Sequence, residues 1–178
     1  VPAGWAGADM KRSIATVGRA WERGITFFDT ADAYGRGKSE VLLGLGLYDH
    51  RDEAVIATKA GMSLAAPGQN FSEPYLRGAL DASLTRLERG YIDLYLLHCP
   101  PIDAMTKDLF GLMGDLKQSG KIRAWGVSVF TAEEALHAID GGAEAVQIIY
   151  SVLEQDIGRA VFPVARERNV GVIVREAL

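Results

Sequence analysis

The sequence has one cysteine, Cys99, among its 178 residues. A single thiol excludes an internal disulfide framework, and such sparse cysteine is typical of a reducing compartment, which predicts a cytoplasmic location. Basic residues are not in excess either, because 19 Lys and Arg stand against 23 Asp and Glu, for a formal net charge of -4. This balance offers no broad basic surface, so we expect no nucleic-acid partner.

Long hydrophobic runs are also absent. The longest uncharged apolar stretches have the length of strands, and residues 1–10 carry neither a positive cluster nor an apolar run. We therefore expect no membrane span and no visible signal segment. The chain has 178 residues, 48% of them hydrophobic, and is therefore large enough to bury a core. At roughly 150 residues per domain, the whole chain, residues 1–178, is predicted to be a single domain.

What the sequence does contain is an alternation of short apolar runs with amphipathic stretches. Six runs are predicted as strands, at residues 25–28, 54–58, 92–97, 124–129, 145–150 and 170–174. Nearly continuous apolar strands separated by helical patterns indicate a parallel sheet covered on both faces. Thr131 and Glu134 have the spacing of a capping box before the fourth helical stretch.

Two architectures fit six βα units. An open doubly wound sheet is favoured by length alone, since a TIM (β/α)8 barrel normally has eight units and ~250 residues. However, no G-x-G-x-x-G turn follows any predicted strand. Polar residues instead lie within or at the carboxyl ends of successive strands, which converge at the active-site face of a barrel. They are Asp29, Lys59, His98, Ser128, Gln147 and Arg175.

Four of the candidate residues suggest acid catalysis on a carbonyl group. A lysine ammonium at Lys59 would lower the pKa of a nearby phenol such as Tyr34, and Asp29 would keep that lysine charged. His98 ends the next strand and can donate a hydrogen bond to a substrate carbonyl while Tyr34 supplies the proton.

The same residues leave other interpretations open. His98 could be a turn histidine or part of a metal pair, although His50 and His137 have no ligand spacing to it. Cys99 could be a nucleophile with His98 as its base, but adjacent strand-end side chains point to opposite faces. Lys59 could form a Schiff base, as in an aldolase or isomerase.

The motifs that carry these residues resemble the aldo-keto reductase family. The run GITFFDTADAYG at residues 24–35, with Ser39-Glu40 and Leu43-Gly44 behind it, is similar to the family signature. The resemblance continues through Thr58-Lys59, through residues 83–98 and through residues 120–128, and so covers nearly the whole chain.

This resemblance implies a TIM (β/α)8-type barrel that binds NADP(H) and reduces an aldehyde or ketone by hydride transfer. It implies a catalytic tetrad in which Tyr34 is the acid, Lys59 tunes it, Asp29 holds Lys59 and His98 orients the carbonyl. Cofactor contacts are implied for Ser128 and Gln147, which match residues that bind the nicotinamide carboxamide, and for Arg175, which would stack on the nicotinamide. Asp29 is placed beside that cofactor site as well. Trp5 and Trp125 are aromatic candidates for the pocket mouth.

The sequence also departs from the family pattern. Val129 follows Ser128 where the family commonly has Asn, so one amide partner of the cofactor is replaced. The family's first strand would precede Trp5 and its eighth would follow Leu178, so we expect about six βα units and a fragment or a barrel closed by a partner. The alternative to a reductase is therefore a non-catalytic reductase-like binding or regulatory domain. The loop at residues 61–72 is the predicted substrate loop.

Overall fold

The structure is a computed structural model that describes residues 9–62 and 68–177. Within these ranges six parallel strands form one sheet in the order β1-β2-β3-β4-β5-β6. The strands are β1 (Phe27–Asp29), β2 (Val55–Ala60), β3 (Ile92–His98), β4 (Ile122–Ser128), β5 (Ala145–Ile149) and β6 (Gly171–Arg175). The helices are α1 (Met10–Glu22), α2 (Lys38–Gly46), α3 (Glu73–Leu87), α4 (Lys107–Gln118), α5 (Ala132–Asp140) and α6 (Asp156–Glu167).

This strand order decides between the two predicted architectures. Each strand pairs with its neighbour in sequence, and no reversal of order interrupts the sheet. A doubly wound sheet would reverse its order at a switch point, whereas a barrel wall does not. The six strands curl into a half-barrel, so the barrel prediction is confirmed and the open sheet favoured by length alone is wrong. No helix in the described ranges is both long and apolar enough to cross a membrane.

All six predicted strands are present, with shifts of one or two residues at their ends. The first begins at Phe27 rather than Ile25, because the Ile25 N–H bonds to the Ala20 carbonyl and closes the end of α1. The second continues through Lys59 to Ala60, so this lysine lies within the sheet rather than after it. Hydrogen bonds at the strand ends therefore fix the boundaries that the apolar pattern leaves open.

Helix α2 was not among the predicted helical stretches. It contains Gly44 and Gly46, and glycine disfavours a helix. A Cβ on Gly44 would lie 2.8 Å from the Arg86 carbonyl oxygen, and one on Gly46 would lie 2.7 Å from the Val17 side chain. Glycine at these two positions lets α2 pack directly against α3 and α1, so tertiary packing overrides the local preference.

The core has two parts, one on each side of the sheet. The larger part fills the space between the sheet and the helices, and the smaller lies on the inner face, where Ala57, Leu94, Leu96 and Ala145 are buried. Trp125 belongs to the larger part, with its ring 5.6 Å from that of Phe110. It therefore packs beneath the helices and does not line the pocket mouth. Trp5 lies outside the described residues.

The predicted capping box at the start of α5 is present. The Thr131 hydroxyl accepts from the Glu134 N–H at 3.2 Å, and the Glu134 carboxylate accepts from the Thr131 N–H at 3.0 Å. We expect Thr131→Ala to lower the free energy of unfolding by about 1 kcal/mol, because helix N–H groups lose a partner. Denaturant unfolding measures this loss. Thr131→Ser keeps the hydroxyl, and an equal loss in that variant would contradict the capping role.

Candidate active site

The pleat of the strands brings the predicted polar residues to one place. Alternate side chains face the inside of the half-barrel, and the register pairs His98 with Ser128 and Ser128 with Gln147 on neighbouring strands. The Asp29 and Lys59 side chains meet at the same end of the sheet. Because all six strands are parallel, their carboxyl ends share this edge, and the six predicted residues form one inner rim: Asp29, Lys59, His98, Ser128, Gln147 and Arg175.

Lys59 and Asp29 form the buried ion pair of this rim. The Lys59 ammonium donates to both Asp29 carboxylate oxygens and to the Thr30 carbonyl oxygen, each at 2.8 Å. The Lys59 side chain is 1% exposed, whereas that of Asp29 is 32% exposed. Burial lowers the pKa of Lys59, and the charge of Asp29 opposes that shift. Since all three ammonium donors are used, the nitrogen has no free lone pair for a Schiff base.

Tyr34 and His98 lie next to this pair. The Lys59 ammonium is 5.2 Å from the centre of the Tyr34 ring. The rings of Tyr34 and His98 meet edge to face, with their centres 5.9 Å apart. A phenol and an imidazole therefore border the same space above the ion pair, where a carbonyl oxygen can approach both of them.

The pKa of Tyr34 differs in direction from the sequence-based expectation. We predicted that Lys59 lowers it, whereas burial of the phenol raises the pKa above 10.0, and the charges of Asp29 and Cys99 add to that rise. Arg175 opposes it. The Lys59 charge is largely cancelled by the carboxylate in contact with it, so it does not favour a phenolate. The phenol is held as an acid.

His98 is held neutral. Burial and, after it, the positive charges of Lys59 and Arg175 lower the pKa of His98 to about 4. Its Nδ1 has no hydrogen-bond partner within the part of the chain that the structure describes. A neutral imidazole has one donor and one acceptor, which suits hydrogen bonding to a carbonyl oxygen rather than proton transfer.

Gln147 and Ser128 form the floor of the rim, and both are 1% exposed. The Gln147 amide nitrogen donates to Asp29 at 3.1 Å, while its Oε1 has no partner among residues 9–62 and 68–177. An unpaired buried acceptor costs free energy, so this oxygen is ready to accept a hydrogen bond from an amide group. The residues present thus fit the carboxamide of a nicotinamide ring.

Arg175 lies at the rim, and residues outside the rim hold its guanidinium in place. Its guanidinium donates to the Val129 carbonyl oxygen at 3.0 Å and to the Glu176 carboxylate, and it lies 4.7 Å from the centre of the Phe130 ring. Its Nε has no partner in the described ranges. These contacts fix the guanidinium plane at the edge of the floor and direct its charge toward Tyr34 and His98.

One alternative from the sequence, a nucleophilic Cys99, loses support. The Cys99 thiol donates to the Ser128 hydroxyl at 3.6 Å, and burial raises the pKa of Cys99. A nucleophilic thiol needs a lowered pKa, so Cys99 does not fit that role. No group of three His, Cys, Asp or Glu side chains able to hold a metal is found in the described residues.

Sequence reasoning missed Gln69, which fixes the backbone beside His98. Its amide nitrogen donates to the Cys99 carbonyl oxygen at 2.6 Å and to the His98 carbonyl oxygen at 3.2 Å. Cys99 has a positive φ of 54°, so the chain turns sharply just after His98. Nothing in the sequence pairs Gln69 with a strand end far along the chain. Residues 63–67 of the predicted substrate loop lie outside the described residues.

Comparisons with known proteins find related sequences and structures. The model of the "Aldo/keto reductase family" matches residues 1–178. Aldo-keto reductase YhdN of Bacillus subtilis is 32% identical over 98% of this chain and 54% of its own length. The NADH-specific methylglyoxal reductase of Escherichia coli is 31% identical over 98% of this chain and 59% of its own length.

The structure is similar to that of aldo-keto reductase AKR11C1 from Bacillus halodurans in its holo form, with a TM-score of 0.89 and 30% identity. That match covers 95% of this chain and 58% of the other. The chain spans about half the length of the curated relatives it matches. Because the family model matches along the whole sequence, the chain belongs to the aldo/keto reductase family.

Proposed function

We propose that the protein is an oxidoreductase that reduces an aldehyde or ketone to an alcohol, with NADPH as the hydride donor and Tyr34 as the general acid. One observation carries the proposal. The buried Lys59–Asp29 pair, the Tyr34 phenol and the neutral His98 lie together at the carboxyl ends of parallel barrel strands. In barrels of this type, that face holds the active site.

The proposed roles follow from the environment of each group. The Tyr34 phenol, whose pKa is raised by burial, donates a hydrogen bond and then its proton to the carbonyl oxygen. His98, neutral because its pKa is lowered to about 4, donates a second hydrogen bond to the same oxygen. The Lys59–Asp29 ion pair lies against the phenol, with the Lys59 ammonium 5.2 Å from the centre of the Tyr34 ring, and so positions it.

The same rim is proposed to hold the nicotinamide. Gln147 Oε1 and the Ser128 hydroxyl would bind the carboxamide and Arg175 would contact the ring, while Asp29 fixes the Gln147 amide. When bound there, a reduced nicotinamide would supply the hydride for the carbonyl carbon. The packed floor excludes water from this position, since Ser128 and Gln147 are 1% exposed.

The nucleotide preference is tested by titrating the protein with NADPH and NADH in parallel, following quenching of tryptophan emission. We expect saturable binding at roughly micromolar levels, with NADPH the tighter ligand. Tighter binding of NADH would replace NADPH by NADH in the proposal. NADH is the nucleotide that the name of the Escherichia coli relative gives for that protein. Absence of binding by folded protein to either nucleotide would contradict a redox function.

A second candidate is a reductase-like domain that binds a partner without catalysis. The described residues leave the outer edges of β1 and β6 without a neighbouring strand. Unpaired edges present backbone N–H and C=O groups to another chain. Turnover of an aldehyde by the protein would exclude this candidate. A single-domain organisation and a cytoplasmic location remain predictions.

A further inference from the structure

A buried group of polar side chains lies on the outer face of β2 and β3, behind the proposed catalytic residues. The Glu40 carboxylate, which is 0% exposed, accepts from the Thr58 hydroxyl and from the Arg86 guanidinium, both at 2.6 Å. These two hydrogen bonds account for both Glu40 oxygens, and the Arg86 guanidinium balances the Glu40 charge. The positive and the negative charge of this interior are therefore already matched.

Asp32 is a second buried acid in this interior, in addition to Glu40. Its residue is 1% exposed, and neither carboxyl oxygen has a hydrogen-bond partner within the part of the chain that the structure describes. Tyr95 is 0% exposed, and its hydroxyl is equally without a partner there. The charge of Asp32 acts on the phenol of Tyr95, so the two groups face the same interior. A second buried carboxylate beside Glu40 would add an unmatched negative charge, which is strongly unfavourable.

Asp32 is also tied to the loop that presents Tyr34. Its backbone N–H donates to the Lys59 carbonyl oxygen at 3.0 Å, and two residues later the Tyr34 carbonyl accepts from the Ser39 N–H at 3.2 Å. Asp32 and Tyr34 therefore belong to one short turn that backbone hydrogen bonds hold at both ends.

We propose that the Asp32 carboxyl is kept in its protonated form and shares hydrogen bonds with the Tyr95 hydroxyl through one water, and so acts as a positioning residue for the Tyr34 loop. Protonation removes the unmatched charge and gives the carboxyl a donor as well as an acceptor. Loss of that proton leaves two negative carboxylates, Asp32 and Glu40, near each other. The Tyr34 loop then moves away from Glu40. The catalytic consequence rests on the proposed function, whereas the protonation state does not.

The pKa of Asp32 supports this assignment, because burial and, after it, the negative charge of Glu40 raise it from 3.8 to about 7. The Ala33 N–H and the charge of Arg86 act in the opposite direction. Ionisable groups face this interior from every neighbouring element: Glu40 on α2, Arg86 and Tyr75 on α3, Tyr95 on β3 and, on β2, Lys59, whose ammonium is turned to Asp29.

The sign of the pH dependence follows from the raised pKa. Between pH 3.8 and about 7 the folded protein holds a proton that the unfolded Asp32 has lost. The stability that this bound proton contributes is full below pH 3.8 and is lost as the pH rises to about 7. The unfolding equilibrium constant of the wild type, relative to Asp32→Asn, should rise by up to about tenfold per pH unit in this window.

The experiment compares the wild type with Asp32→Asn, which mimics the neutral carboxyl, and with Asp156→Asn, a control at an exposed acid. Infrared difference spectra should show a protonated carboxylic acid in the wild type and in the control, titrating near pH 7 and absent in Asp32→Asn. In tyrosine-labelled protein, the NMR resonance of the Tyr34 ring, assigned with Tyr34→Phe, should shift along the same titration. No shift is expected in Asp32→Asn.

Identical pH profiles of stability in the wild type and in Asp32→Asn, or a carboxylate at Asp32 throughout, would overturn the proposal. A titrating Asp32 that leaves the Tyr34 resonance unmoved would overturn the positioning role. If Asp32→Asn does not fold, Tyr95→Phe replaces it, and it should move the infrared transition because it removes the shared hydrogen bond. A Tyr34 response in a protein without reductase activity would refute the proposed function alone.

Discussion

Replacing Tyr34 with phenylalanine should lower kcat for carbonyl reduction by roughly 10²- to 10⁴-fold, the usual contribution of a general acid. Phenylalanine keeps the ring against His98 and near the Lys59 ammonium but has no proton to donate. The dissociation constant for the nucleotide should stay nearly unchanged, because the proposed carboxamide contacts come from Ser128 and Gln147. Steady-state kinetics and a nucleotide titration measure the two quantities separately.

Tyr48→Phe is the matched control, since this tyrosine is 49% exposed and lies outside the rim. It should leave kcat as in the wild type. The wild-type pH profile adds a second check, because the acid must be protonated and the pKa of Tyr34 is raised above 10.0. The fall of kcat/KM at alkaline pH should therefore lie above pH 10.0 and be absent in Tyr34→Phe. Unchanged turnover in Tyr34→Phe would refute the role of the phenol.

The position of the candidate site could be predicted from the sequence, because it follows from the strand pattern and from the polar residues at the strand ends. In a parallel sheet, alternate residues share a face and all carboxyl ends lie at one edge. Asp29, Lys59 and His98 lie near the ends of three successive apolar runs, so the strand register brings them together independently of the loop conformations. The curled sheet follows from the same argument, since sequential parallel strands with polar inner ends favour a barrel.

What could not be predicted depends on distances between residues far apart in the sequence. Arg86 reaches Glu40 and Gln69 reaches Cys99 only after the helices and loops are packed. The pKa of Tyr34 illustrates the consequence. The sequence places a lysine near the phenol, but the sign of the shift depends on how closely Asp29 cancels that lysine and how deeply the ring is buried.

Breaking the buried ion pair should affect stability unequally from its two sides. Asp29→Asn leaves the Lys59 ammonium, whose side chain is 1% exposed, without a counter-charge, and we expect a loss of about 3–5 kcal/mol in the free energy of unfolding. Lys59→Met removes the buried charge and leaves Asp29, whose side chain is 32% exposed and reaches water. Its loss should therefore be the smaller of the two. Denaturant unfolding of both variants at one pH gives the comparison.

The pH dependence of the stability of Asp29→Asn shows whether the unpaired Lys59 ammonium causes the loss. Asp29 raises the pKa of Lys59 against the lowering effect of burial, so without Asp29 that pKa falls further below 10.5. The unfolded state then binds the proton more tightly than the folded state, and the stability of Asp29→Asn should recover as the pH rises toward 10.5. Glu73→Gln, which breaks the exposed pair with Arg77, is the control and should cost less than about 1 kcal/mol at any pH. Equal losses in Asp29→Asn and Lys59→Met, with no recovery at high pH, would show that the stranded ammonium is not what destabilises the fold.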